Sequence, residues 1–331
     1  MQELWPIEPA AYTPHPLHRT ELVWPQSNCY VDLWIELLHT FGVEPLAAMP
    51  FTFAVDLEGD QWTFFKFPLA DLDALYGIQV FELNVWDSLP GHVEQQLSLG
   101  RPCLVEVDAF HMPDTAGTSY HAEHVKTSIG IQAIDVDGGR LGYFHNAGYY
   151  ELDRRDFNGV FRLDDGVRAL ESLAPYVEVA KLRVRPALGG RALVNASLNL
   201  LGATLTNLPR ENPFRRYAAS FADDLERLCG SPLERFHRYA FATFRQAGAA
   251  FELGGAYLRW LQAHGEPGLE PIAAACDVIA TTTKALQFKT ARAVGIGRPF
   301  DASTLVGTMA AAWDETMTAL TARYGVVMEQ R

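Results

Sequence analysis

The stretch from Val125 to Leu152 leaves this chain few folds to choose from. VKTSIGIQAID and RLGYFHNAGYYEL are dense in β-branched and aromatic residues, and Val136-Asp137-Gly138-Gly139 between them is a glycine turn. They predict a long antiparallel hairpin, which needs further strands to be stable. Candidates lie upstream: PCLVEVDAF reads as a buried strand leading into a polar loop from His111 to Glu123, and Ile78 to Trp86 as another. FTFAVDLEGDQWTFFKF offers two short strands around Gly59-Asp60, and helices are predicted from Pro68 to Tyr76 and from Leu89 to Leu99. Strands that follow an initial helix, rather than alternate with helices, predict an α+β fold with an antiparallel sheet.

Beyond Gly189-Gly190 the pattern changes. The chain becomes alanine-rich with helical spacing over roughly 191–207, 213–229, 232–263, 269–293 and 303–324, broken by prolines and glycines, which predicts an all-α bundle. A length of 331 residues exceeds the ~250–300 at which single cores stop growing, so two domains are expected. The predicted division is an extended proline- and aromatic-rich arm over 1–25, an α+β domain over 26–188 and a helical domain over 191–331.

Composition narrows the function. A net charge of -13 opposes non-specific nucleic-acid binding. Four cysteines (Cys29, Cys103, Cys229, Cys276) lie far apart, without the spacing of a zinc site or a disulfide framework. The first residues show no basic then apolar run, and the longest uncharged stretch, Ala192 to Pro209, is too polar to span a bilayer. The expectation is a cytoplasmic protein with no membrane association.

One cysteine stands apart. Leu33, Trp34, Leu37, Leu38 and Phe41 recur at steps of three and four, with Ser27 or Asn28 available to cap and Gly42 to stop the helix, so Cys29 falls at a helix N-terminus. The helix dipole contributes only ~0.3–1 kcal/mol, too little to activate a thiol alone. A basic partner is required. Among ten histidines, His124 is best placed, because it opens the first hairpin strand, where a side chain can face a helix terminus across a cleft. On the return strand Asn146 can orient the imidazole. A hairpin turning at Val136 to Gly139 sets Tyr150 or Glu151 opposite His124 unless a bulge at Ala147-Gly148 shifts the register, so Glu151 is the second candidate.

This order of cysteine, histidine and asparagine resembles the papain-like cysteine enzymes. With Gly100-Arg101-Pro102, Val107-Asp108, Pro113, His124 and Gly130, the segment more particularly resembles the amino-terminal domain of the butirosin-biosynthesis acyltransferase group. Together with SNCYVDLWIELLH it is also similar to a bacterial family found beside amino-acid:carrier-protein ligases and small acyl carrier proteins. The resemblance implies a papain-like domain with a central helix and antiparallel sheet. It also implies transfer of an acyl or aminoacyl group from a carrier protein's phosphopantetheine thioester, through a Cys29 thioester, to a small-molecule acceptor. Cys29 would be nucleophile, His124 general base then acid, and Asn146 the orienting group. The glutamine that papain-like enzymes place about six residues before the cysteine is Val23 here, which leaves Gln26 and Asn28 as oxyanion donors beside the Cys29 N–H. No cofactor of its own is implied, since phosphopantetheine arrives on the partner.

Other residues admit other chemistry. Asp108, Asp114, His111, His121, Glu123 and His124 form a metal-ligand-rich loop, with His121 and His124 at i, i+3, but no recognised metal pattern extends it and no metal is assigned. His121 and Asp108 are read as support for the loop. Lys181, Arg183 and Arg185 make an alternating basic strip suited to an acidic carrier protein. The rival functions are a cysteine amidase or peptidase and a non-catalytic carrier-binding module.

Overall fold

A computed structural model of the protein describes residues 1–163 and 175–325. The chain divides into two compact units: the first comprises Met1–His18, Cys29–Val43 and Leu72–Ala187, and the second Arg19–Asn28, Glu44–Asp71 and Leu188–Arg331. In chain order the strands are β1 (Gln2–Glu3), β2 (Leu57–Glu58), β3 (Gln61–Trp62), β4 (Gln79–Glu82), β5 (Cys103–Asp108), β6 (Lys126–Asp135), β7 (Arg140–His145), β8 (Gly148–Leu152) and β9 (Val177–Lys181). The helices of the first half are α1 (Cys29–Phe41), α2 (Leu69–Tyr76), α3 (Leu89–Ser98) and α4 (Arg154–Val160).

The first unit is α+β. Its sheet runs β4-β9-β5-β6-β7-β8, with β1 extending the pairing along β6, and every pairing is antiparallel. One face is closed by Val93 and Leu97 of α3 and Phe157 and Val160 of α4, packed with Val105, Val107, Ile129, Ile131 and Tyr143. The other face receives α1. A Cβ on Gly130 of β6 would sit 3.3 Å from Leu37 Cδ1 and 3.4 Å from Leu33 Cδ1, so glycine here permits the helix to lie close on the strand.

The return strand expected as one run from Arg140 to Leu152 is two. Asn146 adopts a left-handed φ of 47°, and the chain turns there so that β8 folds back on β7, pairing Tyr143 with Tyr150 and Gly142 with Glu151. Asparagine tolerates this conformation at modest cost, and Gly148 follows. The hairpin is thus a three-stranded meander.

α1 carries a polar clamp within its apolar pattern. Glu36, fully buried, accepts from Tyr12 Oη and from the His15 N–H at 3.0 Å, and contacts His18 Nδ1. His18 Nε2 lies 3.4 Å from Asp32 Oδ1. Burial alone would lower the His18 pKa, but hydrogen bonds and charge from Asp32 and Glu36 raise it to about 9. Burial would raise Glu36, but His18, Tyr12 and the His15 N–H hold it below its ordinary value.

The second unit is all-helical apart from the β2–β3 ribbon. Helices occupy Gly190–Thr206, Pro213–Cys229, Leu233–Ala240, Gln246–Ala263, Glu270–Ile296 and Ser303–Tyr324. The run expected as one helix over 232–263 is interrupted by a π-helical stretch, Phe241–Arg245. Residues 1–25, expected as one arm, divide between the units: Trp24 is buried in the helical one, donating from Nε1 to Ala280 O at 3.0 Å, while Val23 and Trp24 N–H groups donate to Glu252. The proline-rich 3-10 run Pro45–Ala54 fills the same core through Phe53, packed on Tyr257. The aromatic segment from Trp62 to Trp86 is divided: Trp62, Phe65, Phe67 and Tyr76 are buried, whereas Phe64, Phe81 and Trp86 are exposed. No helix among the described residues is long and apolar enough to cross a membrane.

Candidate active site

Cys29 is the first residue of α1 and a free, partly exposed thiol. His124 precedes β6 and is 72% exposed, with its ring stacked on Phe110 at 4.4 Å between centroids. Its Nδ1 lies 2.6 Å from Asp108 Oδ2. The strand register explains this pair: β5 and β6 pair Asp108 with Lys126, and the Ala109 N–H donates to Val125 O, so alternation carries His124 to the Asp108 side. It is also the side that Gly130 presents to α1. Asp108 accepts from the Phe110 N–H at 3.0 Å. Burial would raise its pKa, but His124 and that N–H together hold the carboxyl below its usual value. With Nδ1 committed to a carboxylate, Nε2 is left to exchange protons. No hydrogen bond joins Cys29 to His124 among the described residues.

The structure corrects the expected orienting group. Asn146 sits in the β7–β8 turn and Glu151 pairs with Gly142 on β8, so neither stands behind His124; Asp108 does. The split of the return strand is the physical reason, because a continuous strand would have carried Tyr150 and Glu151 toward the start of β6. The expected oxyanion donors also fare differently from one another. Asn28 is buried and donates from Nδ2 to Phe65 O at 3.0 Å, which commits one amide proton, whereas Gln26 is exposed. Of the basic strip only Lys181 lies in a strand, its Nζ 4.5 Å from the Phe81 ring centroid. Arg183 turns to a φ of 55° and stacks on Phe41, and Arg185 pairs with Asp73 at 2.6 Å, so the three do not form one unpaired row.

The metal-ligand-rich loop is dispersed into separate pairs. Asp108 holds His124, Asp114 Oδ2 contacts His145 Nδ1 at 2.5 Å, and His121 Nε2 lies 3.6 Å from Asp156 Oδ1. Among the described residues no group of three or more such side chains is arranged to hold a metal ion. His145 serves side chains: its Nε2 lies 2.7 Å from Thr127 Oγ1, and Asp114 also accepts from Tyr143 Oη at 2.7 Å. Hydroxyl, imidazole and carboxylate in line have the order of a hydrolytic triad, but Thr127 and His145 are buried and the Asp114 side chain is only 3% exposed, so the network braces the meander. Burial and the Asp114 charge push the Tyr143 phenol well above its ordinary value. Sequence reasoning missed this network and the role of Asp156. The Asp108–His124 pair had a readable signal, since the pairing of PCLVEVD with HVKTSIG sets both residues on one face.

With this geometry in place, comparison assigns the family. The chain belongs to the DUF1839 family, matching the DUF1839 N-terminal domain over residues 13–182 and the DUF1839 C-terminal domain over residues 190–322. A search of the curated proteins gave no match.

Proposed function

We propose that the α+β unit is a cysteine acyltransferase. An acyl or aminoacyl group on a carrier protein's phosphopantetheine thioester passes to Cys29 and then to a small-molecule acceptor. The observation that carries the reading is the His124–Asp108 pair at 2.6 Å, in the same unit as an α1 that begins with a partly exposed thiol. A carboxylate on Nδ1 fixes the tautomer, so Nε2 can take the thiol proton as Cys29 attacks the thioester carbonyl. The incoming carrier's thiolate leaves with a proton from the same imidazole. When the acceptor attacks acyl-Cys29, His124 takes its proton and returns it to the departing sulfur. This reading requires Cys29 and His124 to come within hydrogen-bond reach in the substrate complex, as catalytic hydrogen bonds that are long or poorly aligned in the free enzyme do. The Cys29 N–H at the helix start is the oxyanion donor in this reading.

Single-turnover transfer from a loaded carrier protein tests it. His124→Ala is expected to slow release of carrier thiol by about 10²–10⁴-fold, the usual worth of a general base. Asn146→Ala is expected to stay within about threefold, as a turn residue outside the site. Equal rates for wild type and His124→Ala would sink the proposal.

A further inference from the structure

Phe110 also borders a second feature, a cleft of about 360 Å³ lined with it by His111, His121, Arg155, Asp156 and Gly159. Asp156 projects from α4 with its side chain only 9% exposed. Its Oδ2 accepts from Tyr120 Oη at 3.0 Å, but Oδ1 is buried with no hydrogen-bond partner. His121 Nε2, at 3.6 Å from Oδ1, is beyond hydrogen-bond reach. A buried carboxylate oxygen left without a donor is costly, so the site calls for a ligand that brings one. Beside it on the same helix, Arg155 is exposed and has no ion pair among the described residues. The wall is aromatic: the rings of Phe110 and His121 lie 5.3 Å apart. Gly159 lets His111 pack directly on α4, because a Cβ there would fall 2.2 Å from His111 Nδ1.

A carboxylate and a guanidinium in one small cleft select their mirror image. An anion alone meets Asp156, a cation alone meets Arg155, and only a molecule bearing both charges satisfies both. We infer that this cleft binds a small zwitterion with a primary ammonium on Asp156 and a carboxylate on Arg155, a free α-amino acid being the simplest such ligand. Phe110 also stacks on His124, so the ligand sits one ring away from the general base. Its role as the acyl acceptor rests on the acyltransfer reading, whereas its binding does not.

Calorimetric titration of the full-length Cys29→Ala protein, without carrier, tests the inference with the common α-amino acids and, as controls, propionate and propylamine. At least one amino acid is expected to saturate the protein below about 10 mM while neither control binds. Asp156→Asn, which keeps the size and the acceptor for Tyr120, is expected to raise that Kd by about 10–100-fold, and Arg155→Ala, at an exposed position, to raise it by about 3–10-fold. Thermal melting of both variants establishes that they are folded, and either one alone decides the matter if the other is not. Absence of saturable binding by every amino acid, binding of propylamine as tight as any amino acid, or a Kd unchanged in the folded variants overturns the proposal. Because no thioester enters the titration, failure here leaves acylation of Cys29 standing. Failure of acylation likewise leaves the binding result intact.

Discussion

At the residue scale the account turns on Asp108. Replacing it with asparagine keeps the shape but removes the charge that, in the proposed mechanism, orients and stabilises the imidazolium. Asp108→Asn is therefore expected to slow transfer from a loaded carrier by at least about 10²-fold, with thermal stability little changed because the pair is exposed. Stopped-flow release of carrier thiol and a melting curve check both parts. Asp114→Asn, in contrast, is expected to cost about 1–3 kcal/mol of stability, because it leaves buried His145 and Tyr143 imperfectly paired; chemical denaturation measures it. The positions of Cys29 at a helix start and of His124 just before a strand were legible in the sequence. It misled over the orienting residue because Asn146 and Glu151 follow the hairpin by counting, and counting fails where one left-handed asparagine turns the chain. Asp156 was not legible at all, since its isolation is a property of the packed loop around it.

At the scale of elements, α1 is held by a clamp that its pattern of apolar residues conceals. Asp32 and Glu36 lie among leucines, where helical spacing alone gives them no role, and only His18, arriving from a proline-rich segment, explains their burial. The folded pKa of His18, about 9, lies above its unfolded value near 6.5. The contribution is thus fully present below about pH 6.5 and is lost as pH rises through about 9, a span worth roughly 3 kcal/mol at most. Wild-type stability is expected to fall across that interval in urea titrations at fixed temperature. His18→Gln is expected to be less stable at pH 6.5 and to show a flatter slope; an identical slope would remove His18 from the account. The strands and helices themselves were readable, because alternation and three-four spacing are local. The π-helical stretch Phe241–Arg245 was not, since a continuous helical pattern runs through it.

At the scale of the whole molecule, the chain passes between its two units more often than a linear reading allows. Composition marked the change near Gly189-Gly190, and that boundary lies close to the junction at Leu188. What it could not show is that residues 19–28 and 44–71 cluster with the helical unit, because those segments are built from prolines and aromatics whose partners are distant in sequence. Gly248 records one such partnership: a Cβ there would fall 2.4 Å from Trp24 Nε1. A fragment of residues 190–331 lacks Trp24 and Phe53, which fill its core, and is expected to melt without cooperativity by circular dichroism. In the full chain, Trp24→Ala is expected to cost about 3–5 kcal/mol.

The central claim is that Cys29 carries an acyl group. Incubation of the protein with an aminoacyl-loaded carrier protein, followed by intact mass measurement, reads this directly. The account predicts a mass increase equal to the aminoacyl group in wild type, removed by hydroxylamine and absent in Cys29→Ala. An adduct that persists in Cys29→Ala, or none across a range of loaded carriers, would contradict it.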